Sequence, residues 1–304
     1  MSTQEILNSN LTKTAKAKML YDLGHTRRQV ADWLMNGNYG FAHNVWRKWN
    51  ESESSNIVNL PFEFNFNRTF GIELETYDAN IDRLIIECRN MGIQIAEEGY
   101  NHTTRNHWKI VTDSSISGRN GREIVSPVLK GTDGLEQIKK VCLALNRAGA
   151  KVNKSCGFHL HLGVQDYTLE NFKSLFKSHI RTESEFDAIV PESRRQNQNR
   201  FCKSLTSIRS IRTKIDGARS LNYLRDIFNT RYLKLNFQSY QKYGTVEFRQ
   251  HSGTITYSKI KNWILICGRM VDYCKQNGLT NNLNSFLNES LQDYVSDRAA
   301  DLVA

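Results

Sequence analysis

Two carboxylates stand one residue apart in the run Gly71-Ile72-Glu73-Leu74-Glu75. On a β-strand, side chains at positions i and i+2 lie on one face, so Glu73 and Glu75 would point together while Ile72 and Leu74 enter the core. Neighbouring carboxylates repel each other unless a cation lies between them. Taken alone, the pair fits a solvated strand face better than a cation site. Other residues therefore decide whether it binds a cation.

Two imidazoles with the same spacing occur at His159 and His161, in a stretch that begins after Gly157 and ends at Gly163. Imidazole nitrogen is a common metal ligand. A single histidine at such a position is usually structural, whereas two on one strand face between glycines are typical of a ligand site.

A carboxylate and a guanidinium share a third predicted strand face, at Glu247 and Arg249, with Val246 and Phe248 on the opposite face. The pair could be an ordinary ion pair, which contributes little to stability if it is exposed. Alternatively, the planar fork of Arg249 binds phosphate oxygens while Glu247 holds a metal ion that bridges the same phosphate. Both interpretations stay open at this point.

Glu123, at the start of another predicted strand, adds a further carboxylate. Hard cations such as Mg²⁺ and Mn²⁺ prefer carboxylate oxygens, whereas a structural zinc site favours thiolates. An oxygen-rich set with imidazole therefore predicts a divalent metal site, and ATP chemistry is a natural use of such a site.

A mixed α+β domain at residues 61–274 is expected to position these side chains. Its predicted strands cover residues 69–77, 108–113, 123–129, 158–164, 232–240 and 245–251, and its predicted helices cover residues 81–91, 135–148, 169 to the mid-180s and 257–274. The last two strands would pair through a turn at residues 242–244. Residues 275–304 are expected to form a C-terminal helical tail.

Residues 1–49 predict a small all-α domain of three helices, at residues 15–22, 27–34 and 39–49. Gly24 would end the first helix and Thr26 would cap the second. The expected shared core consists of Leu20, Leu23, Val30, Leu34, Val45 and Trp46. This arrangement resembles a helix-turn-helix unit, and its candidate DNA contacts are Arg27, Arg28, His43, Asn44, Arg47 and Lys48. A protein-docking module or an N-terminal cap is the alternative.

The overall composition predicts a soluble, cytoplasmic protein that attracts polyanions. Its formal net charge is +10, which favours nucleotides or nucleic acid as partners. The six cysteines form no C-x-x-C pair and no secretory signal opens the sequence, so reduced thiols are expected. No apolar stretch approaches the roughly 20 residues of a membrane span. The polar residues 50–60 predict a linker between the two domains.

Six motifs occur in an order that resembles the amidoligase family: GIELE, GREIVSP, GFHLHLG, PESRR, RYLKLNFQSY and GTVEFRQHSGTI. Each motif is short, but their joint order and spacing are specific. The resemblance covers most of the second domain and excludes the first fifty residues.

The resemblance implies a glutamine synthetase-like fold, in which a curved antiparallel sheet presents metal-binding carboxylates and ATP in a funnel. It implies that one Mg²⁺ (or Mn²⁺) lies between Glu75 and Glu123, and another among Glu73, His159 and Glu247. The implied reaction joins a carboxylate and an amine, for example amino acids or a peptide, through an acyl phosphate. Arg249 would then neutralise the transferred phosphoryl group.

The same resemblance makes Arg194, Arg195 and Arg231 candidates for binding phosphate or a substrate carboxylate. His161 is expected to position substrate or to support a ligand, and Asp113 is a weaker candidate. A solvated charged face is the alternative for each arginine.

Two rival functions stay open. One is a DNA-binding regulator whose glutamine synthetase-like domain senses a nucleotide without turning it over. The other is a phosphotransferase that stops at phosphorylation. The complete acidic and histidine set favours catalysis over sensing, because a sensor need not keep every ligand.

Overall fold

The computed structural model describes residues 2–23, 25–53, 67–101 and 103–303. The chain divides into two compact units, residues 1–63 and residues 64–304. Residues 50–53 of the predicted linker are helical, whereas residues 54–60 lie outside the described residues. The predicted break at Gly24 also lies outside them.

The first unit contains four helices in its described part, so the prediction of three was wrong. They are α1 (Thr3–Asn8), α2 (Lys13–Asp22), α3 (Arg27–Leu34) and α4 (Tyr39–Glu53). The helix that the sequence did not predict, α1, has six residues and is too short for a clear apolar period. A capping box between Ser2 and Glu5 supports it, and Ile6 anchors it in the core.

Most of the expected helical core is present. Leu20, Val30, Leu34 and Val45 are buried and Trp46 packs against them. Leu23 is an exception, because it is the C-cap residue of α2 and is half-exposed there. Thr26 caps α3 as predicted, with its side chain accepting a hydrogen bond from the Gln29 N–H.

The second unit confirms the predicted α+β class and is built on one open sheet. Its strands are β1 (Thr69–Thr76), β2 (Ile95–Glu97), β3 (Trp108–Thr112), β4 (Arg122–Val125), β5 (Leu129–Lys130), β6 (Phe158–Gly163), β7 (Leu235–Asn236) and β8 (Thr245–Phe248). Their order is β2-β3-β4-β1-β6-β8-β7, and β5 pairs with the start of β1. Every pair is antiparallel except β2 with β3.

Helices complete this unit: α5 (Ile81–Asn90), α6 (Gly131–Arg147), α7 (Leu169–Ala188), α8 (Ile211–Gly217), α9 (Leu221–Ile227), α10 (Gln238–Tyr243), α11 (Tyr257–Gln276) and α12 (Glu289–Asp301). Short 3-10 turns lie at Glu192–Arg194, Leu205–Ser207 and Leu283–Ser285. Helix α11 contacts α6, α7 and β6. Alternate strand residues such as Ile72, Leu74 and Leu160 are buried in the core. The glutamates of β1 and the histidines of β6 alternate with them and therefore lie on the other face of the sheet.

The predicted strand at residues 232–240 was mostly wrong, because only Leu235–Asn236 is extended. The Asn236 carboxamide oxygen accepts a hydrogen bond from the Gln238 N–H and starts the turn into α10. That helix ends at Gly244, whose φ of +64° suits glycine. Strands β7 and β8 do pair, as expected, but through a helix rather than a tight turn.

The predicted strand at residues 123–129 is divided into β4 and β5. Pro127 has no N–H for the sheet. The Ser126 hydroxyl instead accepts a hydrogen bond from the Ile72 N–H and donates to the Pro127 carbonyl oxygen. The strand β2 and the helices α8 and α9 were not predicted, since each is short.

Residues 275–303 pack within this second unit, where Leu283 and Leu291 are buried and α12 contacts α11. All six cysteines are buried and free. Among the described residues, no helix combines the length and the apolar character that crossing a membrane would require.

Candidate functional site

Strand register brings the chemical side chains onto one face of the sheet. Glu73 lies opposite His159 across β1 and β6, and Glu75 lies opposite Glu123 across β1 and β4. His161 and Glu247 are partners across β6 and β8. Because directly opposed residues have Cβ atoms about 4.5–5.5 Å apart, this register places the four strands' functional groups in contact.

Glu73, His159 and Glu247 form the first cluster, with one potential ligand atom from each lying within 4.8 Å of the others. Nδ1 of His159 is 3.0 Å from Oε2 of Glu73 and 3.7 Å from Oε1 of Glu247. Three donors from three different strands thus surround one point.

Glu75, Glu123 and His159 form the second cluster within the same distance limit. Nε2 of His159 is 3.6 Å from Oε1 of Glu75. The Gly157 N–H donates a hydrogen bond of 2.6 Å to the other oxygen of Glu75. His159 therefore belongs to both clusters and offers one ring nitrogen to each.

Neighbouring polar groups hold these ligands in place. The Asn236 amide donates a hydrogen bond of 2.6 Å to Oε2 of Glu247, and the Arg249 guanidinium donates to Oε1 of the same carboxylate. Nε2 of His161 lies 3.5 Å from Oε1 of Glu73, while its Nδ1 contacts the Thr245 hydroxyl at 3.0 Å. Such supporting hydrogen bonds fix ligand orientation.

The electrostatics of the carboxylates differ from one to the next. Burial raises the pKa of Glu73, but hydrogen bonds with His159 and His161 outweigh it, so the pKa lies well below the usual range. Burial also raises the pKa of Glu247, but the charges of Arg249, His161 and His159 together bring it below its usual value. Burial and the nearby charges of Glu73 and Glu75 raise the pKa of Glu123 well above its ordinary value.

The cationic partners respond in the opposite sense. Burial lowers the pKa of His161, but the charges of Glu247 and Glu73 raise it above its usual value. The pKa of Arg249 is likewise raised, because the same carboxylates outweigh its burial. Negative charge therefore dominates this face and favours a bound cation.

The donor set fits a hard divalent cation. It offers four carboxylates and one shared imidazole, and no cysteine belongs to either cluster of the described residues. Oxygen-rich sets of this kind suit Mg²⁺ or Mn²⁺. Burial is the largest cause of the raised pKa of Glu123, and the charges of Glu73 and Glu75 add to it. A cation between Glu75 and Glu123 would relieve this repulsion, which supports the fit.

A cavity of about 810 Å³ opens above the clusters. Arg194, Arg231 and Arg249 all line it, as do Asp113 and His161. Arg194 is buried and donates to the Cys156 carbonyl oxygen, and its Nε has no hydrogen-bond partner among the described residues. Three guanidiniums beside two carboxylate clusters suit a phosphate chain with its metal.

The structure does not bring Arg195 to this cavity. The chain leaves the 3-10 turn at Arg195, and its Nε donates 2.9 Å to the Val190 carbonyl oxygen instead. Asn236 and Tyr232 are among the cavity residues that were not predicted. Asn236 lay inside a predicted strand, and Tyr232 follows Arg231 at the cavity wall, where the guanidinium lies 5.3 Å from the Tyr232 ring centroid.

In the first unit, the candidate nucleic-acid residues divide by exposure. Arg28, Asn44, Arg47 and Lys48 are exposed, and the last three share one face of α4 by their spacing. His43 is half-buried. Arg27 is buried, with its guanidinium 4.3 Å from the Trp46 ring centroid and in contact with Nδ1 of His43, so it is a packing residue of this unit.

Comparison with known proteins gives one family. The family model described as "Putative amidoligase enzyme" matches residues 66–271. No curated protein matches the chain. A solved structure titled "Crystal structure of novel glutamine synthase homolog" is similar over 77% of this chain, with 12% sequence identity and a TM-score of 0.37. The chain spans 64% of the length of that protein.

Proposed function

Because the chain belongs to the amidoligase family, we propose that its second unit is an ATP-dependent ligase that joins a carboxylate to an amine through an acyl phosphate. The observation that carries the proposal is the pair of carboxylate clusters that share His159 beside a guanidinium-lined cavity. This arrangement supplies the metal ligands and the phosphate-binding cations that phosphoryl transfer needs.

In the first step, an oxygen of the substrate carboxylate attacks the γ-phosphorus of ATP. The bond from that phosphorus to the bridging oxygen breaks, and ADP leaves with the electron pair. Mg²⁺ or Mn²⁺, held by Glu75 and Glu123 and by Glu73, His159 and Glu247, would supply charge neutralisation at the phosphate oxygens. Arg249 stabilises the negative charge that spreads over the transferred phosphoryl group.

Arg194 and Arg231 bind the remaining anionic groups, which are ATP phosphates or the substrate carboxylate. Asn236 and Arg249 hold Glu247 in its ligand orientation through their hydrogen bonds. His161 holds Glu73 in the same way. We assign no role in this reaction to Arg195, whose Nε is bonded to the Val190 carbonyl oxygen.

In the second step, the amine nitrogen attacks the acyl carbon. A carbon–nitrogen bond forms, the carbon–oxygen bond to phosphate breaks, and phosphate leaves with the electron pair. Starting from the ammonium form, the nitrogen loses two protons, of which one goes onto phosphate and the other to solvent. No enzyme nucleophile takes part.

ADP release measured against a panel of carboxylates and amines tests this function. We expect Mg²⁺-dependent ADP formation that requires one acid and one amine together, and an amide product by mass spectrometry. Glu247→Gln should abolish the turnover, whereas Glu170→Gln, an exposed glutamate on α7, should leave it unchanged. An unchanged rate in Glu247→Gln would contradict the proposal.

The same assay separates the rival functions. A nucleotide-sensing regulator would bind ATP without releasing ADP under any substrate pair. A phosphotransferase would release ADP with the acceptor alone and would yield a stable phosphorylated product without an amide. The double requirement for acid and amine belongs to the ligase only.

For the first unit we propose duplex DNA as the partner, with Arg28, Asn44, Arg47 and Lys48 as contacts. The supporting observation is that these side chains are exposed and that three of them share one face of α4. Binding should weaken steeply with salt, because phosphate contacts release counterions. Replacing Arg47 and Lys48 with alanine in the full chain should reduce the salt slope by about two. Equal binding and an equal slope would favour a protein partner instead.

We also propose a reducing, cytoplasmic location, since all six cysteines are buried free thiols. Disulfides persist mainly in oxidising compartments. Alkylation of the denatured protein directly after cell lysis should modify every cysteine, and the recovery of disulfide-linked peptides would contradict this location.

A further inference from the structure

Positive charge is concentrated in one segment of the second unit. Residues 194–231 contain ten Lys and Arg and two Asp, a net charge of +8 against +10 for the whole chain. The rest of the chain therefore carries a net charge of only +2. Such a concentration of one charge sign on a short segment favours a polyanionic partner for this part of the molecule.

Six cations of this segment are exposed, and we call them the basic surface: Arg200, Lys203, Arg209, Arg212, Lys214 and Arg219. No carboxylate of the described residues forms an ion pair with any of the six. The two aspartates of the segment already have partners, because Asp216 lies 2.6 Å from Lys177 and Asp226 lies 3.6 Å from Arg225. The basic surface therefore presents its full positive charge to solvent.

Packed helices carry part of the basic surface. Ile211 and Ile215 of α8 are buried, and this helix contacts α7 and α9. Arg212 and Lys214 lie between the two isoleucines in the sequence and are exposed on the flanks of the same helix. These cations are therefore displayed by a packed element of the unit.

Hydrogen bonds join the basic surface to the mouth of the large cavity. The Lys203 N–H donates a hydrogen bond of 2.9 Å to the carbonyl oxygen of Tyr232, and both Arg231 and Tyr232 line the cavity. The side-chain amide of Gln238, another cavity residue, donates to the Phe228 carbonyl oxygen just beyond α9. A polyanion on the basic surface would therefore reach the cavity mouth.

Exposed aromatic rings accompany these cations. Tyr223 on α9 is 48% exposed and Tyr232 at the cavity mouth is 37% exposed. The Phe201 ring lies edge-on to Tyr232, with centroids 5.7 Å apart, and the Arg200 guanidinium lies 4.6 Å from the Phe201 centroid. Rings among arginines bind unpaired bases by stacking, whereas the base faces of a duplex are already stacked. Arginine also binds phosphate oxygens in pairs.

We propose that the basic surface binds single-stranded nucleic acid. The phosphates lie along the cations of the basic surface, one base stacks on Tyr223 and another stacks on Tyr232 at the cavity mouth. Single-stranded DNA and RNA share this chemistry, and neither phosphates nor base faces carry sequence information. The surface is separate from the duplex contacts proposed for α4, and its binding does not depend on the ligase function.

Fluorescence anisotropy of labelled oligothymidylate and oligouridylate, each of about 20 nucleotides so that it exceeds one site, tests the proposal in the full chain without ATP or metal. Every protein carries Arg47→Ala and Lys48→Ala, which removes contacts of the first unit. Replacing Arg209, Arg212 and Lys214 with glutamine should weaken binding at least about tenfold at about 0.1 M salt and reduce the salt slope by about two. The tighter strand identifies the sugar. Unchanged affinity for both strands would overturn the proposal.

A second triple variant provides the matched control. Replacing Arg83, Arg89 and Lys130 with glutamine removes the same two arginines and one lysine from exposed positions outside the segment. This variant should bind either strand nearly as tightly as its parent. Equal loss of affinity in the two triple variants would mean that binding follows net charge alone, and it would overturn the basic surface as the site.

Stacking is tested by single changes on α9. Tyr223→Ala should weaken strand binding by at least about fivefold, whereas Tyr223→Phe keeps the ring and should bind like its parent. A duplex of the same length should not respond to Tyr223→Ala. Equal weakening of strand and duplex binding would overturn the assignment to a single strand.

Two further measurements do not depend on these variants. Ultraviolet cross-linking of a strand that contains 5-iodouracil should attach it to Tyr223 or Tyr232, and cross-links confined to other residues would overturn the proposal. Sedimentation with phosphatidylserine vesicles should not retain the protein at about 0.15 M salt, where exposed charges are strongly screened. Vesicle binding without binding of either oligonucleotide would assign the basic surface to a membrane instead.

Discussion

On the site face of the sheet, Glu73, His159 and Glu247 converge from three strands, whereas the exposed charges of the N-terminal unit lie along helix surfaces. The strand residues are buried or half-buried and each contacts a neighbour on another strand. Arg28 of the helical unit pairs only weakly with Asp32, at 4.0 Å and largely exposed. Buried convergent charges need a cation or a partner, whereas exposed charges need neither, so the same residue types carry different information in the two regions.

The largest effect should come from the buried ion network behind the site face. Lys234 is fully buried and its ammonium lies 2.7 Å from Glu183 and 2.6 Å from Asp187. Lys234→Met would leave two carboxylates without their cation and should lower the free energy of unfolding by about 3–5 kcal/mol. Lys177→Met, which breaks a half-exposed pair with Asp216, should cost at most about 1 kcal/mol. Urea unfolding of both variants checks this. Equal losses of unfolding free energy would contradict the distinction between buried and exposed ion pairs.

Metal affinity should respond next. Glu73→Gln removes one charged ligand from the first cluster. It should weaken Mn²⁺ binding by at least about 10-fold in a titration followed by electron paramagnetic resonance, because even the loss of a group that supports a ligand has an effect of this size. Glu170→Gln provides the matched exposed control. Wild-type affinity in Glu73→Gln would mean that the clustered carboxylates do not hold the ion.

The buried imidazole of His179 predicts a pH effect on stability. Burial and the Lys234 charge lower its pKa to about 3. The unfolded chain takes up this proton at a higher pH than the folded protein. The contribution of His179 to the free energy of unfolding is therefore fully present above about pH 6.5 and is lost between that pH and about pH 3. When the pH is lowered from 7 to 5, the free energy of unfolding, measured with urea, should fall by about 2 kcal/mol less in His179→Leu than in the wild type. Equal losses in the two proteins would contradict a neutral buried imidazole.

The smallest effect is expected in the helical unit. Thr26→Ala removes the capping box of α3 and should destabilise that helix by about 1 kcal/mol. Thr14→Ala, on the exposed surface of α2, should have little effect. In Thr26→Ala, the protection of the α3 backbone amides against hydrogen exchange should fall about fivefold, and that of the sheet amides should not change. Loss of protection in β1 and β6 would contradict separate stability of the two regions.

The contrast also explains which parts of the site could be predicted. The pairs Glu73 with Glu75 and His159 with His161 follow from a period of two within one strand. The meeting of Glu123 and Glu247 with them depends on β4 and β8 pairing on opposite sides of the β1–β6 pair, and that order comes from long-range contacts. A family resemblance supplied the missing step.

Local chemistry decided the remaining differences. Asn236 ends β7 by accepting a backbone hydrogen bond, so a segment with strand composition becomes a helix. Arg27 was predicted at a DNA surface, yet it packs over Trp46 because α3 and α4 are neighbours. Side-chain orientation on short helices and turns depends on packing that a single sequence does not express.

The transfer of ¹⁸O from a labelled carboxylate substrate to inorganic phosphate tests the ligase most directly. The acid that supports ADP release with an amine is labelled in its carboxylate oxygens, and the phosphate product is analysed by mass spectrometry. Acyl phosphate formation predicts one ¹⁸O atom in each phosphate released with amide. Phosphate that carries no label while ADP and amide accumulate would contradict the account.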